Sequence, residues 1–180
     1  MKLLAFAASS SKKSINAQLV RHAASLIKSV EIEYLDINDY EMPIFSVDRE
    51  NEFGILEPAH RFYQKIGQAD ALLISFAEHN GSFTAAYKSL FDWTSRIDGK
   101  VFQGRPMVML SASPGGRGGA SVLEAAVNSA ARFGGVVKAS LPVPKFYDNF
   151  DTQAGKLTDI ELQASLRSVL GELFELADDA

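Results

Sequence analysis

Five short apolar runs punctuate the chain: "KLLAFAA" from Lys2, "EIEYLDI" from Glu31, "ADALLISFA" from Ala69, "PMVMLSA" from Pro106 and "GVVKASLPVP" from Gly135. Most lack polar alternation, as strands covered on both faces do. Stretches of helical periodicity separate them. After the first run, Ile15, Leu19, Ala23 and Leu26 or Ile27 recur at helical spacing through "INAQLVRHAASLIKSV", with Ser14 as N-cap. Further helices are expected near 55–67, near 84–96, over "SVLEAAVNSAARF" and over "TDIELQASLRSVLGELFELA", which ends at Ala177. Strands that alternate with helices build a parallel sheet with helices on both faces. The prolines of the fifth run are expected to end it. The segment 36–54, acidic and broken by Pro43 and Gly54, reads as a long loop.

At 180 residues, 47% of them hydrophobic, the whole chain reads as one domain, a three-layer sandwich; in the flavodoxin-like version of this architecture the five strands are expected in the order 2-1-3-4-5. In that order ligands sit beyond the carboxyl ends of the strands, at the switch point between strands 1 and 3. The polar loops after strands 1, 3 and 4 then converge on one crevice.

Composition narrows the chemistry. There is no cysteine, which excludes disulfides, thiolate metal sites and cysteine nucleophiles. A net charge of -4 speaks against a nucleic-acid or anionic-membrane partner. The opening "MKLLAFAASSS" has too short an apolar run for a secretory signal, so a cytoplasmic location is the expectation.

The first loop, "SSSKKSIN", residues 9 to 16, offers four hydroxyls, two lysines and a helix N-terminus without a carboxylate. Such a place suits a phosphate, although a serine-rich helix cap reads the same way. A dinucleotide fingerprint needs glycines. None occurs between residues 1 and 53, so Asp36, at ribose-binding spacing, stands alone. In "AEHNGSFTAAYKSLFDW", residues 77 to 93, Glu78 and His79 lack further metal ligands nearby, and Ser82 with His79 lacks a nucleophile elbow. A flat ligand met by backbone amides remains. In "SASPGGRGG", residues 111 to 119, four glycines let a backbone approach closely; a flexible surface loop is the alternative.

Taken together, the three loops resemble the NADPH-dependent FMN reductases. "SSSKKSIN" is similar to the family's G-S-x-R-x-x-S-x-N, "AEHNGSFTAAYKSLFDW" to P-E-Y-N-x-S-x-P-x-x-L-K-x-x-I-D-W, and "SASPGGRGGAS" to S-x-G-x-x-G-G. The resemblance covers about residues 2 to 145. It implies a flavodoxin-like fold and an oxidoreductase that passes hydride from NADPH or NADH through FMN to free flavin, a quinone or another small acceptor. By position, Ser9, Ser11, Ser14 and Asn16 would surround the FMN phosphate, with the backbone of Lys12, Lys13 and Ile15 contributing. Ala77, Glu78, His79, Asn80 and Gly81 would line the isoalloxazine, and Ser113, Gly115 and Gly116 its pyrimidine side.

No catalytic side chain is required; His79 is a possible auxiliary donor, and His22 and His60 are assigned no role. Ser11 stands where the family has arginine, so Lys12 or Lys13 must supply the charge. Ala77, His79 and Thr84 replace the family's proline, tyrosine and proline. The rival readings are a flavodoxin-type electron carrier and a non-catalytic FMN-binding protein. A homodimer or homotetramer is expected, on the apolar breadth of Tyr87, Leu90, Phe91 and Trp93 and on the family's packing of this helix; the loop 36–54, with Met42, Ile44 and Phe45, would reach the neighbour's flavin.

Overall fold

The apolar runs become the strands of one parallel sheet in the computed structural model, which describes residues 1–176. In chain order the elements are β1 (Lys2–Ala8), α1 (Ile15–Ser25), β2 (Glu31–Asp36), a 3-10 turn (Ile37–Tyr40), α2 (Val47–Phe53), α3 (Glu57–Gln68) and β3 (Ala71–Phe76). A hairpin of β4 (Glu78–His79) and β5 (Ser82–Phe83) follows, then α4 (Ala85–Thr94), β6 (Pro106–Ala112), α5 (Ala120–Ala130) and β7 (Val136–Val143). The chain continues through α6 (Phe146–Asn149), a second hairpin of β8 (Phe150–Asp151) and β9 (Lys156–Leu157), and α7 (Ile160–Gly171).

The sheet order is β2-β1-β3-β6-β7, which is the expected 2-1-3-4-5 once the two-residue hairpin strands are set aside. Strand pleating sends alternate side chains to opposite faces. Leu4 and Phe6 of β1 therefore join Phe62, Ile66, Leu90 and Val122 from α3, α4 and α5, while Leu3 and Ala5 join Leu19, Ala23, Leu166 and Leu170 from α1 and α7. Fully burying each large side chain of this kind contributes about 1.5–3 kcal/mol, which is what clamps the helices to both faces.

Several local expectations change. The segment 36–54 is not a continuous loop. Ser46 Oγ accepts from the Arg49 amide at 3.2 Å, Asp48 and Glu50 complement the helix dipole, and Gly54 ends α2 at φ +70°. These are ordinary cap signals in a polar helix, whose lack of an apolar stripe hid it. Helix α1 stops at Ser25, because Ile27 leaves the helix to bridge Leu176. Pro142 sits inside β7, opposite Ser111; β7 is an edge strand, where a missing N–H is tolerated. Helix α7 ends at Gly171, short of the expected Ala177, which lies outside the described residues.

The aromatic breadth of α4 also has another explanation. Tyr87, Leu90, Phe91 and Trp93 are all buried within the single chain. Trp93 Nε1 donates to the Pro43 carbonyl at 2.8 Å, Ser89 Oγ donates to the same oxygen, and Phe45 packs edge-on to the indole. These side chains hold the 37–54 segment onto its own chain, and so give no argument for a subunit boundary.

Candidate active site

The crevice lies over the carboxyl ends of β1, β3 and β6, and one side chain holds its walls together. Asn16, in the first turn of α1, is 2% exposed. Its Nδ2 donates to the Ala112 carbonyl at 3.1 Å, and its Oδ1 accepts from the Ala112 amide at 2.9 Å and from Ser75 Oγ at 2.7 Å. This side chain thus braces three elements rather than facing a ligand.

The first loop is preorganised by its own serines. Ser14, extended at ψ 124°, caps α1 by accepting from the Ala17 amide at 3.2 Å, and Ser9 Oγ accepts from the Ser11 amide at 3.3 Å. By helix geometry the amides of Ile15 and Asn16 have no carbonyl one turn back, and the first turn of α1 carries no acid. Lys12 and Lys13 are exposed, and among the described residues neither has an ion pair. Hydroxyls, free helix amides and two exposed cations form a donor set suited to a terminal phosphate.

The second wall is a hairpin, not the open loop read from the sequence. Asn80 (φ 51°) and Gly81 (φ 77°) form its two-residue turn, the pattern of a type I′ connection. The Asn-Gly pair was the signal for it. Gly81 is thereby explained by the turn, and Asn80 and Gly81 stand at the exposed tip. Glu78 is committed too, since its Oε2 accepts from the Val122 amide at 3.0 Å and caps α5. His79 is exposed on the rim. Thr84, in place of the family's proline, caps α4 through the Tyr87 amide and donates to the Ala8 carbonyl at 3.2 Å, which ties the hairpin to the first loop.

In the third wall the glycines divide by role. A Cβ on Gly118 would lie 2.7 Å from Val143 C and Pro144 N, and Gly119 (φ +78°) packs on Ser111. Those two serve the fold. Gly116 has nothing within 4 Å of its would-be Cβ, and Gly115 only Ser113 Oγ at 3.7 Å. Protein packing imposes no glycine at either, whereas a close-lying ligand would.

The crevice, about 200 Å³, is lined by Ser9, Ser11, Lys13, Ser14, Ile15, Asn16, Ala77, Glu78, His79 and Ser113. Lys12 faces the adjoining groove; Asn80, Gly81, Gly115 and Gly116 belong to the flanking turns. Sequence reasoning missed Ala112, Pro114 and Tyr147, which also line it. Tyr147 arrives from α6, far along the chain, and only its place in "PKFYDNF" as an exposed aromatic marks it.

Comparison with known proteins places the sequence and the fold among relatives. The NADPH-dependent FMN reductase family matches residues 1–148. A 2-hydroxy-1,4-benzoquinone reductase from Burkholderia sp is 34% identical over 120 residues, 66% of this chain and 63% of that protein. An NADPH:quinone oxidoreductase from Arabidopsis thaliana is 32% identical over 125 residues, 67% of this chain and 62% of that protein. The chain thus spans less than two thirds of the length of these curated relatives. Among solved structures, the flavoenzyme NAD(P)H:(acceptor) oxidoreductase of Paracoccus denitrificans superposes with a TM-score of 0.75 at 24% identity, covering 94% of this chain and 93% of that one, and so shares the fold.

Proposed function

Because the chain belongs to the NADPH-dependent FMN reductase family, we propose that it is an FMN-dependent NAD(P)H oxidoreductase acting on a small acceptor such as a quinone or free flavin. The observation that carries this reading is the convergence of three walls on one crevice: a cationic, hydroxyl-rich helix start, a hairpin rim, and a loop whose Gly115 and Gly116 face open space.

Ser9, Ser11, Ser14 and the amides of Lys12, Lys13 and Ile15 hold the phosphate, with the lysine ammonium groups as point charges. Asn16 positions that helix start from behind. Ala77, Glu78 and His79 offer the hairpin side of the ring site, and Ser113, Gly115 and Gly116 the other. Bound there, FMN supplies the hydride and electron chemistry. The protein's part is to orient it and leave one face open, and this needs no catalytic triad. Residues 77–82 and 111–119 contain no tryptophan or tyrosine, and the exposed aromatic that does line the crevice, Tyr147, arrives from α6; the small-molecule reading is preferred over the electron-carrier reading on the named reductase relatives. The relative named as a benzoquinone reductase makes a quinone the first acceptor to assay.

The acceptor is small and no membrane partner is needed; among the described residues no helix is long and apolar enough to cross a membrane. A homodimer or homotetramer remains our expectation, now resting on the exposed Ile44, Val47 and Phe53 rather than on α4.

The test is spectroscopic. Purified protein loaded with FMN is mixed anaerobically with NADPH or NADH, and flavin absorbance is followed before and after adding a benzoquinone. Bleaching and its reversal by quinone are expected. Failure to bind FMN at high micromolar concentration would refute the cofactor assignment, and binding without bleaching by either nucleotide would refute the activity.

A further inference from the structure

The crevice opens at the loop between β1 and α1 onto a groove of about 640 Å³. Ser9, Ser11, Lys13 and Ser14 of that loop line both spaces, and so does Tyr147. Ala77, Glu78, His79 and Ser113, on the ring side, line the crevice alone. Tyr147 therefore stands at the phosphate end of the site, although it comes from α6, after the last strand of the sheet.

The turn that carries Tyr147 is held in place from below. The Lys145 and Phe146 amides donate to the Gly115 and Ser113 carbonyls at 3.0 and 3.1 Å, which ties the turn to the third wall of the site. Lys145 takes φ 46°, a conformation that a residue other than glycine holds only where its surroundings impose it. Phe146 is fully buried and stacks on Phe150 at 4.5 Å, and Asn149 Nδ2 donates to the Pro144 carbonyl at 2.9 Å. On this base the Tyr147 side chain is 63% exposed and touches Phe146 edge-on. Among the described residues its hydroxyl has no hydrogen-bond partner.

A phosphate monoester presents three strong acceptor oxygens. The serine hydroxyls, the amides at the start of α1 and the lysines all come from one segment of chain, so a donor from a second element closes the side they leave. A phenol suits that place: its O–H donates, and its ring gains by leaving water. A hydrogen bond to an ionised oxygen is also roughly twice as strong as one between neutral groups.

We propose that Tyr147 is a phosphate-binding residue of the flavin site. Its hydroxyl donates to the terminal phosphate cradled by Ser9, Ser11, Lys13 and Ser14, so the crevice separates FMN from unphosphorylated flavin through an element outside the phosphate loop. The inference rests on the FMN reading, because the phosphate is the flavin's. A tyrosine at this end also leaves the ring open to small acceptors.

Riboflavin, which is FMN without the phosphate, isolates the contact. Apoprotein is titrated with FMN and with riboflavin by fluorescence quenching, in wild type, Tyr147→Phe and Tyr147→Ala; the side chain is exposed, so folding is expected to survive and is checked by circular dichroism. Tyr147→Phe is expected to weaken FMN about tenfold and riboflavin less than about twofold, and Tyr147→Ala to lower the preference for FMN as much. A change in FMN binding below about twofold in Tyr147→Phe, or an equal loss for both flavins, overturns the proposal; a loss for both flavins in Tyr147→Ala alone would assign the ring to packing and overturns it too. Inorganic phosphate gives a readout without flavin: it is expected to raise the thermal midpoint of the apoprotein more in wild type than in Tyr147→Phe. Should wild type bind neither flavin at high micromolar concentration, the flavin reading fails separately, and phosphate decides Tyr147 alone. A smaller rise in Tyr147→Phe then supports its role, and an equal or absent rise overturns it.

Discussion

Asn16 and Ala112 exchange a pair of hydrogen bonds, side-chain amide to main-chain amide, at 3.1 and 2.9 Å across 96 residues of sequence. The pair fastens the phosphate loop's helix to the end of β6, and Ser75 Oγ adds a third bond from β3. The crevice is therefore rigid at its base while its rim, at His79 and Lys13, is free to meet solvent or ligand.

Breaking this clasp strands buried polar groups at the base of the site. Asn16→Ala is expected to lower stability by roughly 2–4 kcal/mol, since buried amide and hydroxyl partners left unsatisfied cost about 1–3 kcal/mol each. Urea denaturation measures it, and flavin affinity should fall in parallel; a loss below about 0.5 kcal/mol would show the clasp to be dispensable.

The glycines of the third wall should respond in opposite ways. Gly118→Ala places a methyl against the Val143 and Pro144 main chain at positive φ and is expected to cost roughly 2–4 kcal/mol of stability. Gly116→Ala meets no protein atom and should leave the thermal midpoint nearly unchanged while weakening FMN binding. Equal stability losses at both positions would contradict the assignment.

Charge at the phosphate should come from the two lysines. Replacing both Lys12 and Lys13 by alanine is expected to weaken FMN binding by roughly 1–3 kcal/mol, the scale of a charged hydrogen bond, without unfolding the protein. Lys138→Ala, on the exposed surface of β7, is the control. Fluorescence quenching at low and high salt reads both, and comparable losses in the control would remove the lysines from the site.

Acid should weaken the fold through His22, which packs edge-on against Phe150 at 5.9 Å. Burial, reinforced by the charge of Lys156, holds its pKa below the usual 6.5. The unfolded chain then binds a proton near its ordinary value that the folded chain binds only at lower pH, so this stability is complete above about pH 6.5 and is lost as pH falls toward the folded pKa. The urea midpoint is expected to drop between about pH 7.5 and 5.5, a window spanning the unperturbed histidine value, and to drop less in His22→Leu. An identical pH response in the two proteins would exclude His22 as its source.

Much of the architecture was written in short-range pattern. Leu72, Leu73 and Ile74 in one uninterrupted run call for a strand covered on both faces, and Ser14 before Ile15 marks a helix start; both act between near neighbours, so they are legible wherever the segment ends up. Asn80-Gly81 and the Ser46–Gly54 caps were equally local and were passed over because a polar stretch looks like a loop until its turn chemistry is read. Other features had no local signature. Asn16 looked like a phosphate ligand, yet its amide turns inward because the sheet order brings β6 beside β3 and sets Ala112 within reach. Glu78 caps a helix that begins 42 residues later, Trp93 closes on Pro43 instead of a second subunit, and Gly118, unlike Gly116, has a main chain pressed against it. In each case a side chain's partner is chosen by which elements the packed sheet makes adjacent, and that adjacency is decided only when both faces of the sheet are covered.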